Sequence, residues 1–183
     1  MKRKEFKRTL DYVARSRAIG KTFDQIISEP DPIEFITGLV DYGGWPHRPI
    51  NEEVKVVPRE RRMVILIDIL SRTICSGGVE QLVCDPVAGG LFDEIIACCK
   101  TIGANKAVAY LERMASYFPN GEIPKDEKQR FEMIENIKRT KNIRNFRSLN
   151  KEFAGASVEA IEALRQFILK NLVLFAEVLS NPK

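Results

Sequence analysis

The sequence is poor in the residues that build most metal and catalytic centres. It holds one histidine, His47, which excludes multi-histidine metal sites and leaves one position for a histidine-based acid–base step. Its four cysteines, Cys75, Cys84, Cys98 and Cys99, make no Cys-x-x-Cys pair, the short spacing that structural zinc requires. They read as reduced, mostly buried thiols packing as small apolar groups. A cysteine–histidine nucleophile with His47 is the alternative, without a local signature. There is no Gly-x-Ser-x-Gly, no His-Glu-x-x-His, no Walker loop and no Gly-x-Gly-x-x-Gly. Long apolar runs are missing too: the longest, Met63–Ile67 and Leu172–Ala176, fall far short of the ~18 residues of a membrane span. The charged start Met1-Lys2-Arg3-Lys4-Glu5 has no apolar core of a secretory signal, which predicts a cytoplasmic address. These absences predict a protein without catalysis, cofactor, metal or membrane contact.

What is present suits a folded domain. The chain has 183 residues, 44% hydrophobic and 30% charged, with a net charge of +4. Disorder is excluded by that balance, and a chain of this length buries roughly 70% of its unfolded surface without a staple. Charge comes in blocks: residues 1–21 carry eight positive and two negative groups, residues 22–54 one and seven, and residues 125–151 nine and four. Such alternation makes separate positive and negative faces possible.

Hydrophobic spacing is helical almost throughout, and the predicted fold is all-α, a compact multi-helix bundle with a helical N-terminal arm. Phe6, Leu10 and Val13 share one face of a first helix, Phe23, Ile26 and Ile27 make a short turn, and Pro32 opens a helix through Leu39. Residues 1–45 read as the arm and 46–183 as the main domain, the two forming one folded unit. Residues 43–58 read as a linker, with Trp45 pinning the arm and Val54–Val57 as extended chain ended by Pro58. Met63, Ile65, Leu66, Ile67, Ile69, Leu70 and Ile74 are apolar nearly all round and predict a buried central helix. Ser76-Gly77-Gly78 predicts a tight turn in which glycine takes positive φ, followed by a helix to about Val83 and a loop at Asp85–Gly90. Further helices are expected over Leu91–Ile102, Ala104–Phe118 and from Asp126-Glu127 to about Lys141. The last helix is expected to be capped by Ser157 and to bury Val158, Ile161, Leu164, Ile168, Leu172, Phe175 and Leu179.

Five segments in order carry a family resemblance. Thr73–Leu82 is similar to an "eV-nGG-f-Q-f" signature. Ala97–Gly103, Tyr117–Gly121, Ile123–Arg130 and Leu149–Phe153 are similar to the pieces that follow it: a helix ending Ile-Gly-Ala, an "fP-g" turn, a "p-d-eR" helix start and an "LD-x-x-fy" segment. The family is a bacterial helical domain of unknown function whose best-known member is a DNA mimic, and the match spans about residues 49–171. Ser76 stands at the usual Asn of the signature, Val79 and Leu82 at its aromatics, and Asn150 at the Asp of the late segment. The resemblance implies a helical interaction domain that presents carboxylates, in place of phosphates, to a DNA-binding protein; a homodimer is a further state it leaves open.

The surface expected to meet a protein partner comprises Ser76, Gly77, Gly78, Gln81 and Asp85 at the glycine corner, then Asp93, Glu94, Glu112 and Glu122. The plainer reading makes Gln81 a ligand of turn carbonyls and Asp85 an N-cap. The runner-up partner is nucleic acid, through Lys138, Arg139, Lys141, Arg144 and Arg147. Lys141, Arg144 and Arg147 lie three apart and line one side if that stretch stays helical. The alternative there is a solvated face opposite Phe131, Ile134, Ile137 and Phe146.

Overall fold

The computed structural model of the protein describes residues 21–42, 51–140 and 142–175. The expected first helix, the Trp45-Pro46-His47 loop, Lys141 and Leu179 lie outside these residues. The architecture is all-α. In chain order the helices are α1 (Phe23–Ile27), α2 (Pro32–Tyr42), α3 (Asn51–Val56), α4 (Arg59–Cys84), α5 (Pro86–Gly90), α6 (Phe92–Ile102), α7 (Asn105–Ala115), α8 (Glu127–Lys138), α9 (Ile143–Ser148) and α10 (Phe153–Lys170). Single 3₁₀ turns cover Pro119–Gly121 and Leu149–Lys151.

The bundle is built around α4. Every residue from Met63 to Leu70 is buried, so the segment that is apolar all round is indeed enclosed. α10 runs against α4, the α6–α7 hairpin closes on both, and α2 packs between α4 and α10. Phe35 and Leu39 of α2 are fully buried in this same core, so residues 23–42, read as part of an arm, belong to the body of the bundle. Two of the polar side chains that α4 encloses are paired within the bundle. Asp68 takes an ion pair from Arg72 one turn on, and Ser71 accepts a hydrogen bond from Ser157 of α10 at 3.1 Å.

The termini of these helices follow local chemistry. Thr22 and Gln25 form a reciprocal capping box on α1, and Asp31 Oδ1 accepts from the backbone of Ile33 and Glu34 at the start of α2. Asp126 caps α8 by accepting from Gln129 at 2.8 Å. α6 ends at Gly103 in the left-handed conformation, and Ala104 N–H reaches back to Cys99 O at 2.9 Å. α7 then starts on a borrowed cap: Glu159 of α10 accepts from Ala107 N–H at 2.9 Å.

Several expectations are corrected. The stretch read as extended at Val54–Val57 is helical over Asn51–Val56, burying Val54 and leaving Val56 exposed. The loop expected at Asp85–Gly90 is α5. Asp85 Oδ1 accepts from Val87 and Ala88 N–H, and Pro86 sits at a first-turn position where no amide is needed. α8 stops at Lys138, short of Lys141. Ser157 does not cap α10, which begins four residues earlier because Phe153 and Ala156 also bury against the core. The buried face of α10 is accordingly Phe153, Ala156, Ser157, Ala160, Ile161, Leu164 and Ile168, while Val158 and Leu172 are exposed.

Candidate interaction surface

The glycine corner is a break inside α4. Gly78 has φ 75° and ψ −158°, and the chain resumes helix at Val79. The corner is closed from a distance in sequence: Asn150 Oδ1 accepts the Val79 N–H at 2.9 Å, and a Cβ on Gly78 would lie 2.4 Å from that oxygen. Two segments that carry the family resemblance therefore touch, and an aspartate oxygen would accept the same bond. Ser76 and Gly77 are exposed on the outer side, and Ser76 Oγ donates to Thr73 O at 2.9 Å. Gln81 is exposed, and among the described residues it bonds no turn carbonyl; the corner is held instead by Asn150 accepting an amide proton.

The expected acidic residues are used unequally. Asp85 is held by the α5 cap. Glu94 pairs with Arg62 at 3.1 Å and Glu112 with Lys100 at 2.8 Å, both across helices. Asp93 and Glu122 are exposed without an ion pair among the described residues. The structure does not gather these positions into one stripe with the glycine corner: they sit at the α5 cap, the start of α6, the far part of α7 and the loop before α8.

A denser acidic face lies on α8 and was not singled out from the sequence. α8 packs on α4 and α5 through Arg130, Ile134 and the half-buried Met133 and Ile137. Its outer side carries Glu127, Lys128, Glu132 and Glu135 with Phe131, an aromatic left 48% exposed. Glu122 and Asp126 precede it, also exposed. Phe131 was expected among the inward-facing residues and is corrected to the outer side. Arg130, one residue earlier, is buried, so Phe131 lies about 100° around α8 from an enclosed position and faces outward. Arg130 is 1% exposed and its guanidinium donates to Pro124 O at 3.1 Å, Lys125 O at 2.5 Å and Asp85 O at 3.4 Å.

The basic residues form a second surface. Because the chain leaves the helix after Lys138 and re-enters it at Ile143, Arg144 and Arg147 do not continue a helical stripe from α8. Lys138 and Arg147 instead converge on Glu80, at 3.3 and 2.6 Å. Glu80 is held below the usual carboxylate range by those two cations, against the opposing effect of its own burial, which is the larger single influence.

Burial pushes the Cys98 thiol up to about 11 and Cys99 to about 12. Among the described residues no group of three His, Cys, Asp or Glu is placed to hold a metal, and no helix is long and apolar enough to cross a membrane. Both thiols are expected to react with a disulfide reagent at neutral pH far more slowly in the native protein than in urea, by about a hundredfold for Cys99, since the thiolate is the nucleophile. Stopped-flow reaction of single-cysteine variants measures this, and equal rates in both conditions would refute the burial.

Fold and surface together define the class: an all-α bundle wrapped on one enclosed central helix, with its charge sorted onto outer helix faces. The sequence profile of the DMP19-like protein family, a family of DNA mimics, matches residues 56–171, and the chain belongs to that family. The match begins just before α4 and ends just after α10, so it covers the central helix and everything packed C-terminal to it. No curated protein and no solved structure matches the chain.

Proposed function

We propose that this protein is a non-catalytic interaction domain that binds a DNA-binding protein, and that the outer face of α8 with its preceding loop is the docking surface. The observation that carries this reading is the half-exposed Phe131 among the carboxylates of Glu127, Glu132 and Glu135. Family membership supports the class of partner: a protein whose own site is built for phosphates, hence basic. Aromatic anchors ringed by polar groups are the usual energetic centre of such contacts.

Charge density limits how far duplex mimicry extends. A helix rises about 1.5 Å per residue, so Glu127 to Glu135 spans about 12 Å and offers one carboxylate per ~4 Å. Duplex DNA carries one charge per ~1.7 Å. The face therefore imitates a few phosphates, with Phe131 supplying apolar contact, and does not imitate a long duplex. Glu122 extends the negative field at the entry to α8, and Gly78 acts by shaping the corner of α4, the helix on which α8 and α9 rest.

The test is capture of a partner from nuclease-treated native lysate on the immobilised full chain. A retained DNA-binding protein that is lost with Phe131→Ala, and lost with Glu132→Lys/Glu135→Lys, fits the reading; the aromatic truncation is expected to weaken binding about 10-fold or more. Retention that survives both variants, with melting temperatures unchanged, would place the docking surface elsewhere.

A further inference from the structure

From Asn136 to Lys151 the sequence holds six basic side chains (Lys138, Arg139, Lys141, Arg144, Arg147 and Lys151) and no acidic one. The fold fixes the described residues of this stretch. Phe146 is fully buried, edge-on to Tyr117 at 5.3 Å and to Phe118 at 6.2 Å, Leu149 is buried beside it, and Asn150 is bonded to Val79. With Phe146 and Leu149 used as anchors, Arg139, Arg144 and Lys151 and the amides of Asn142 and Asn145 are exposed. Lys138 and Arg147, from different helices, meet at Glu80, and Glu135 adds a 2.7 Å contact to Lys138. Arg139, Arg144 and Lys151 are exposed and make no ion pair among the described residues.

The geometry points to a second binding surface here, one that takes the phosphate backbone of duplex nucleic acid. Three features select that partner. Arginine forks match phosphate oxygens in pairs, and a group of them from two helices suits a repeating anion better than a single carboxylate. The exposed Asn142 and Asn145 amides are of the kind that position proteins on phosphate and sugar. Among the described residues of this surface no exposed aromatic offers the base stacking that single-strand binders need, because Phe146 is buried. Recognition is therefore of backbone, without sequence preference. Glu80 competes for two of the cations, so it sets how many are available to phosphate. This surface has the opposite charge to the α8 face and does not depend on the docking proposed there.

The experiment is fluorescence anisotropy of a labelled duplex of about 20 base pairs with the full chain, at sodium chloride from about 50 to 200 mM. Micromolar binding at the low end is expected, with a log–log salt slope of about −3 for three uncommitted cations at ~0.9 each. Arg139→Glu/Arg144→Glu should weaken it at least about 10-fold, while Lys55→Glu/Lys106→Glu, the same charge change elsewhere, should leave it within about twofold. Glu80→Gln should tighten binding and steepen the slope toward about −3.6 as Arg147 is released, Lys138 keeping its contact to Glu135. Circular dichroism confirms that each variant is folded, and Arg139→Gln/Arg144→Gln replaces the charge reversal if that one is not. Equal losses from the two charge-swapped pairs, a slope near zero, or tighter binding of poly-glutamate or a single-stranded oligonucleotide than of the duplex would each overturn the proposal.

Discussion

Replacing Gly78 by alanine is expected to destabilise the protein by about 3–5 kcal/mol and to lower its melting temperature by about 10 °C. Two effects add. The backbone at φ 75°, ψ −158° lies in a region that side chains strain to enter, worth about 1–3 kcal/mol. The new Cβ would also sit 2.4 Å from Asn150 Oδ1, forcing that amide away and leaving the Val79 N–H buried without its acceptor, about 1–3 kcal/mol more. The two parts separate experimentally. Asn150→Ala removes the acceptor alone and should lower stability by about 1–2 kcal/mol, whereas Asn150→Asp keeps an oxygen in place and should sit close to wild type. In the Asn150→Ala background Gly78→Ala should lose less than it does alone, a coupling of about 1–2 kcal/mol readable by calorimetry. An alanine variant as stable as the parent would mean that α4 runs straight through this point.

The readable and unreadable parts of this fold divide by the range of the interaction that decides them. The enclosed stretch Met63–Leu70 was legible because its apolar residues leave no polar face, and the break at Gly78 because glycine pairs mark such points. Asp126 and Gly103 act where local capping rules put them. Asn150 was not legible as the closure of the corner: it acts 71 residues away, and an Asn after a leucine carries no signal of its own. α5 was read as a loop because Gly89 and Gly90 suggest one. What makes it helical is the Asp85 cap together with an arginine 45 residues further along.

The candidate surface shows the same division. Composition revealed the charge blocks but not which carboxylates are already engaged. Glu94 and Glu112 are matched by Arg62 and Lys100 through tertiary contacts that no local pattern encodes. Arginine is almost never enclosed, so no local pattern marks Arg130 as a core residue, and without it the outward turn of Phe131 is not legible.

Arg130 is the pin that fixes that turn, and its removal should be among the most damaging single changes in the molecule. Its guanidinium satisfies carbonyls from Pro124, Lys125 and Asp85, drawing the α8 entry loop onto the start of α5. Burial alone pulls its proton affinity down, with Glu127, Cys84, Asp126 and Asp85 opposing that shift. Arg130→Ala leaves a cavity and takes the guanidinium donor from the Pro124 and Lys125 carbonyls, while Asp85 O keeps the Gly89 N–H, and should lower stability by about 3–5 kcal/mol in urea denaturation. Arg130→Met fills the space and removes the buried charge, so its loss should be nearer 1–2 kcal/mol. The seat beneath the arginine is equally strict. A Cβ on Gly89 would lie 2.1 Å from the Val83 carbonyl oxygen and 2.5 Å from Arg130 Nε, so Gly89→Ala should cost at least about 4 kcal/mol. Shortening the arginine relieves only the second of those contacts, and the Gly89→Ala loss should therefore persist in the Arg130→Met background. Partner capture divides the two arginine variants further. Methionine keeps α8 seated with Phe131 outward and should retain capture, while alanine should lose capture and stability together. An alanine variant with native stability would show that the α8 face is set by something other than this arginine.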